Sequence, residues 1–224
     1  MNINDTIKDI RNKCRLAMNG ITSSTMREYG LNYKLNFGVS LPHIKKLAQD
    51  YKPDRCLAES LWKEDVRELK ILATILYPID MFSQETACRW IEEIPNQEIR
   101  EQITINLLQN VVYAESLMLQ LCASLNKDFR ITGYWLLSRL LIVKKIEIAD
   151  FNLSPYIYED IQSCNITLKS SSLSALKNLG RTSEKTALKI LNKLNTFPKT
   201  ADKTEIYDIL DFEFEFHFNK KLKP

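Results

Sequence analysis

Four stretches decide the fold: Lys63-Glu64-Asp65-Val66-Arg67, Asn96-Gln97-Glu98-Ile99-Arg100, Asn126-Lys127-Asp128-Phe129-Arg130 and Asn165-Ile166-Thr167-Leu168-Lys169. Each reads Asn (once Lys), any residue, an acid or Thr, an apolar residue, then Arg or Lys. Each opens an apolar stretch rich in helix formers, and successive basic positions lie 30 to 39 residues apart. A repeat of that length is one supersecondary unit that must stack on its neighbours to bury its apolar face. The chain is therefore expected to be all-α, an α-solenoid whose function belongs to a long surface rather than to a compact pocket.

The five positions suit a helix start. Asn is a strong N-cap, and an acid two residues later meets the positive end of the helix dipole. The apolar residue begins the buried stripe. The basic residue that follows gains nothing from the dipole, so something else must favour it. One explanation, placed first, is an inter-repeat ladder in which each cation bonds the acid of an adjacent unit. The other is a row of cations aimed at an anionic polymer, and the two are compatible.

Working outward, residues 4–19 place Ile7, Ile10, Cys14 and Met18 at helical spacing. Gly20, Gly30 and the stretch 32–38 read as loop. Ser40 caps a helix with Pro42 in its first turn, which ends at Pro53. Further helices are expected over 54–63, 65–77, 84–94, 97–110, 114–125, 127–143, 156–164, 167–180 and 183–195, with Pro78, Pro95, Pro155 and Pro198 in the gaps. The ankyrin Thr-Pro-Leu-His run and the Trp-x-x-Leu-Gly of tetratricopeptides are absent, so HEAT-like antiparallel pairs fit best. They form one repeat domain over 1–200. Residues 201–224 read as a short extended C-terminal tail, because Asp211-Phe212-Glu213-Phe214-Glu215-Phe216-His217-Phe218 alternates with the period of a strand. This 211–218 segment is expected to lie along the last repeat, followed by a frayed basic end of Lys220, Lys221 and Lys223.

Composition narrows the function classes. With 45% apolar residues, 5 Gly and 7 Pro in 224 positions, a helical core is affordable and a turn-rich all-β fold is not. Cys14, Cys56, Cys88, Cys122 and Cys164 are scattered and odd in number, which argues against a disulfide framework or zinc site and for a cytoplasmic setting. No apolar run reaches the roughly 18 residues of a membrane span, and no signal-like core opens the chain. A net charge of +3 and a pI near 8.5 are compatible with nucleic acid without demanding it.

Catalytic constellations are missing: no Gly-rich phosphate loop, no GxSxG elbow and no metal spacing, so neither cofactor nor metal is expected. His43 reads as a surface or capping side chain, and His217 lacks partners for a ligand role. Trp62, Trp90 and Trp135 are expected to pack between helices; as ligand platforms they would stack on bases.

The stretch Asn32-Tyr33-Lys34-Leu35-Asn36-Phe37-Gly38-Val39-Ser40-Leu41-Pro42-His43-Ile44-Lys45-Lys46-Leu47-Ala48 resembles the Phe-Gly-Val-x-x-Pro opening of the AlkD-like DNA alkylation repair proteins. Leu57 to Trp62 and Arg67 to Ala73 resemble that family's next helix pair. The likeness covers residues 5–195 and is strongest over 32–110. It implies HEAT-like pairs curved around duplex DNA and, in active members, glycosylase release of cationic alkylpurines without base flipping. Those members carry Asn-x-Trp-x-x-x-Asp and a later Trp. Here Val112 and Ser116 stand at the first two of those positions, in Asn110 to Ser116, and Ser174 stands at the third. The missing groups matter, because a carboxylate stabilises oxocarbenium character and aromatic faces hold a cationic base. Tyr113 and Glu115 retain a ring and a carboxylate, but two residues of continuous helix set them about 200° apart.

The leading expectation is an AlkD-like protein that binds DNA (duplex, alkylated or branched) in a concave basic groove, with glycosylase activity doubtful or lost. Arg67, Arg100, Arg130 and Lys169 would begin the second helices of successive pairs and line its inner side. Lys45, Lys46, Lys144 and Lys145 would add outer charge. The alternatives are a HEAT-repeat scaffold gripping a protein partner, and an active alkylpurine glycosylase using Glu115 and Tyr113.

Overall fold

The computed structural model describes residues 2–146, 154–197 and 201–222. Its packing divides at Val111/Val112 into two compact units. The first holds α1 (Ile3–Leu16), α2 (Gly20–Glu28), α3 (Leu41–Ala48), α4 (Arg55–Trp62), α5 (Arg67–Leu76), α6 (Gln84–Glu92) and α7 (Gln97–Asn106). The second holds α8 (Ala114–Cys122), α9 (Lys127–Ile142), the single turn α10 (Ile157–Asp160), α11 (Ile166–Gly180), α12 (Glu184–Asn195) and α13 (Ala201–Phe218). No strand occurs among the described residues; a single bridge joins Leu35 to Val66. The all-α expectation holds. The domain boundary expected at 200 and the breaker Pro198 fall within 198–200, and Lys223 lies beyond 222, all outside the described residues.

Three of the four signatures cap helices as their residue types dictate. Asn96 Oδ1 accepts the N–H of Ile99 at 3.1 Å, Asn126 Oδ1 that of Asp128 at 2.9 Å, and Asn165 Oδ1 that of Leu168 at 3.1 Å. The first copy differs because lysine cannot accept: Lys63 closes α4 instead, and the next helix waits until Arg67. There the Arg67 N–H bonds the Leu35 carbonyl at 3.1 Å, which ties the 32–38 loop to the head of α5. Arg67 is thus the first residue of its helix, whereas Arg100, Arg130 and Lys169 are each the fourth.

The core of the first unit gathers on α5, which packs against α3, α4 and α7. Its second residue, Glu68, is fully buried, and its carboxylate accepts the N–H groups of Phe37 (3.2 Å) and Val39 (3.1 Å). The Phe-Gly-Val run is thereby bolted to α5. Gly38 takes φ +70°, and a Cβ there would stand 2.3 Å from the Asn19 carbonyl oxygen, so only glycine allows the start of α2 this close. That contact also explains why Gly20 opens a helix rather than a loop: Asn19 is anchored by its N–H to the Phe37 carbonyl (2.9 Å), and its side chain caps Thr22 at 3.0 Å.

In the second unit α9 packs between α8 and α11, and α11 also packs against α12 and α13. The extended tail expected at 211–218 is corrected here: this segment is the end of the helix α13. The period-two phenylalanines hid a period-four stripe. Ile206, Leu210 and Phe214 are buried while Phe212 and Phe216 are exposed, as a helix laid on one face requires. The ring of Phe214 fills the space over Gly180, where a Cβ would come within 2.1 Å of it. Arg181 bonds Glu213, closing the same seam with charge.

Two stability predictions follow from these seams. Glu68→Ala leaves two buried N–H groups without their acceptor and removes one of the Arg67 guanidinium's buried ion pairs, and is expected to lower unfolding free energy by about 3 kcal/mol or more in urea titration. Gly180→Ala displaces the Phe214 ring and is expected to lower Tm by several degrees. A Tm unchanged in that variant would mean α13 does not rest on α11.

Candidate nucleic-acid interface

Of the four recurring cations, two are closed inside the protein with every guanidinium nitrogen engaged. Arg67 is 1% exposed. Its Nε and Nη2 donate to Glu98 (2.9 and 2.7 Å), and its Nη1 donates to the Val39 carbonyl (2.8 Å) and to Glu68 (3.1 Å). Glu98 is the acid of the next signature, so this contact is the inter-repeat ladder. Tyr33 completes it by donating its hydroxyl to Glu98 at 3.1 Å. Burial alone would lower the Arg67 pKa, but the hydrogen bonds and charges of Glu98 and Glu68 raise it.

Arg130 repeats the arrangement in the second unit. Its Nε and Nη2 grip both oxygens of Asp160 (2.6 and 2.8 Å), and Nη1 donates to the carbonyls of Ser124 (2.9 Å) and Leu125 (3.1 Å). The guanidinium lies over the Tyr156 ring, 4.6 Å from its centroid. The hydrogen bonds from Asp160 raise the Arg130 pKa against the opposing effect of burial. The acid comes from α10 rather than from the fourth signature because that signature carries Thr167, which has no charge to offer. Arg100 is also buried, with Nη1 on the Gln97 side chain at 3.1 Å. Lys169 is half-buried on α11.

The other lysines are placed differently. Lys45 and Lys46 are exposed on α3, and Lys144 and Lys145 are exposed at the end of α9. Lys144 has φ 54°, the left-handed region a glycine usually fills when a helix stops.

At the positions where the sequence resemblance implies a ring and a carboxylate, the chain breaks between helices. Val111 is extended, Val112 is fully exposed (104%), and Tyr113 is the N-cap of α8. Ser116 is exposed and turns its hydroxyl back onto the Tyr113 carbonyl at 3.0 Å. Ser174, on α11, accepts a hydrogen bond from Ser138 of α9 at 3.4 Å. Glu115 is exposed in the first turn of α8, where the helix dipole alone favours an acid, and Tyr113 is half-buried. The helix start between them removes the continuous-helix geometry of the sequence reading.

Trp62 and Trp90 form a buried stack, 4.1 Å between centroids with planes 4° apart, and Trp62 donates to Glu93 at 2.6 Å. These two are packing residues. Trp135 is half-buried on α9. His43 and His217 are exposed. Among the described residues no cluster of His, Cys, Asp and Glu could hold a metal, and no helix is long and apolar enough to cross a membrane.

The ladder, the Phe-Gly-Val anchor and the stacked helix pairs together define a HEAT-like repeat protein. The chain belongs to the family described as DNA alkylation repair enzyme, whose model matches residues 11–201. Its fold is that of a solved structure described as "a new family of proteins related to the HEAT-like repeat DNA glycosylases with affinity for branched DNA structures". The TM-score is 0.72 over 97% of both chains at 16% identity. No curated protein matches the sequence.

Proposed function

We propose that this protein binds DNA, duplex or branched, through its phosphate backbone and does not release alkylated bases at a significant rate. The observation that carries the reading is the division of its cations. Arg67 and Arg130 are consumed by buried ion pairs, whereas Lys45, Lys46, Lys144 and Lys145 stand exposed. The recurring arginines then serve structure, and the exposed lysines serve the ligand, with the half-buried Lys169 at the margin. Family membership and the branched-DNA affinity of the similar structure support nucleic acid as the partner. A lysine ammonium is a flexible point charge suited to phosphate, and it reads no sequence. Duplex and branched DNA present the same backbone, so binding to both is expected.

Catalysis is the weaker part of the family inheritance. Val112, Ser116 and Ser174 bring neither ring nor carboxylate to the positions the resemblance requires. A scaffold that grips a protein is the competing reading, and the exposed pair Phe212 and Phe216, stacked at 6.4 Å on α13, is what favours it.

Two measurements separate these readings. Duplex affinity is expected to fall steeply with salt, and Lys45→Ala or Lys46→Ala each to reduce the slope of log K against log salt by about one. Salt-independent binding, or none at low ionic strength, would remove the nucleic-acid reading. In a base-release assay on methylated duplex DNA, little or no 3-methyladenine or 7-methylguanine is expected. Robust release abolished by Glu115→Gln would make Glu115 the catalytic carboxylate, and release untouched by Glu115→Gln and Tyr113→Ala would place the site elsewhere.

A further inference from the structure

We propose that the second unit carries a dedicated phosphate pocket that holds a backbone phosphate of the bound nucleic acid. The pocket has a volume of about 770 Å³ and lies where the ends of α9 and α11 meet the start of α12 and the end of α13. Five side chains that are or can become cationic line it: Lys144, Arg181, Lys185, Lys189 and His217. No acid is among the described residues that line it. Its apolar wall is Leu141, Ile142 and Ile146.

The charges are not explained by the fold. Lysines at helix C-termini gain from the dipole, but Lys185 and Lys189 occupy the first two turns of α12, whose N-terminal end repels cations. Among the described residues neither has a carboxylate within ion-pair distance, and the nearest acid in sequence, Glu184, is paired with Lys220 at 2.6 Å. Lys144 holds the left-handed conformation that favours glycine, at a backbone cost. Arg181 engages Glu213 through Nε and Nη2, so Nη1 is the nitrogen it can turn to a ligand. At the head of α12, Ser183 accepts the Thr186 N–H at 3.1 Å, while the free N–H groups of the first turn remain available to an anion. Misplaced cations, a strained lysine and a helix start converge on one open cavity. A tetrahedral dianion or phosphodiester matches that chemistry, whereas an apolar ligand or a cation does not.

This inference rests on the nucleic-acid reading and deepens it, since it gives Lys144 its companions. The test compares the full chain with Lys185→Glu/Lys189→Glu and with Lys144→Gly in duplex binding across a salt series. All three substitutions are at exposed positions, and Lys144→Gly relieves the left-handed backbone, so a Tm at or above wild type is expected for that variant. The double variant should weaken duplex binding at least tenfold and lower the salt slope by about two, and Lys144→Gly should lower it by about one. Affinity and slope unchanged in both would overturn the pocket while leaving the binding reading intact. If the wild type binds no duplex, the binding reading fails first. Inorganic pyrophosphate titrated against the amide signals of residues 183–186 then decides the pocket separately: saturable shifts lost in the double variant support it, and their absence overturns it.

Discussion

The buried carboxylate of Glu68 is the constraint on which the first unit depends. It holds two backbone N–H groups of the Phe-Gly-Val run and one arm of Arg67, and Arg67 in turn holds Glu98 of the next repeat. A single helix start therefore joins a loop, its own helix and the following helix pair. Two charges this deep are tolerated only because each is met by several hydrogen bonds, so the network is specific rather than merely favourable. The same logic recurs around Arg130 and Asp160, with Tyr134 donating to Asp160 at 2.7 Å.

Arg67 and Arg130 thus serve the fold, and their burial narrows what they can do for a ligand. A buried guanidinium whose three nitrogens are all bonded within the protein has little left to offer a phosphate. In the proposed function the ligand-facing role passes to lysines that the repeat does not specify, on α3 and at the end of α9. This division fits the proposed reading, in which Val112, Ser116 and Ser174 stand where the resemblance implies a ring and a carboxylate.

Much of the fold was legible because helix signals are local. Asn96, Asn126 and Asn165 announce their helices, Pro42 marks the start of α3, and the apolar spacing of α1 reads directly. One rung of the ladder was also legible, since a cation in a first turn needs a partner and Glu98 stands in the next signature. Two things were not. Phe212 to Phe218 satisfies a period of two and, through Ile206, Leu210 and Phe214, a period of four; only the space over Gly180 chooses between them. The charged pocket was invisible because its members come from four separate helices, and single lysines scattered over 144–189 carry no spacing signal. For Tyr113 and Glu115 a continuous helix was assumed, and the start of α8 at Ala114 lies between them.

Arg67 and Arg130 are buried in ion pairs that keep them out of reach of a ligand. The direct measurement is NMR of the arginine side-chain Nε–H signals, free and saturated with duplex DNA. Both residues should give signals protected from solvent exchange, and both should stay in place when DNA is added. Fast exchange in the free protein, or a shift of either signal on DNA binding, would contradict it.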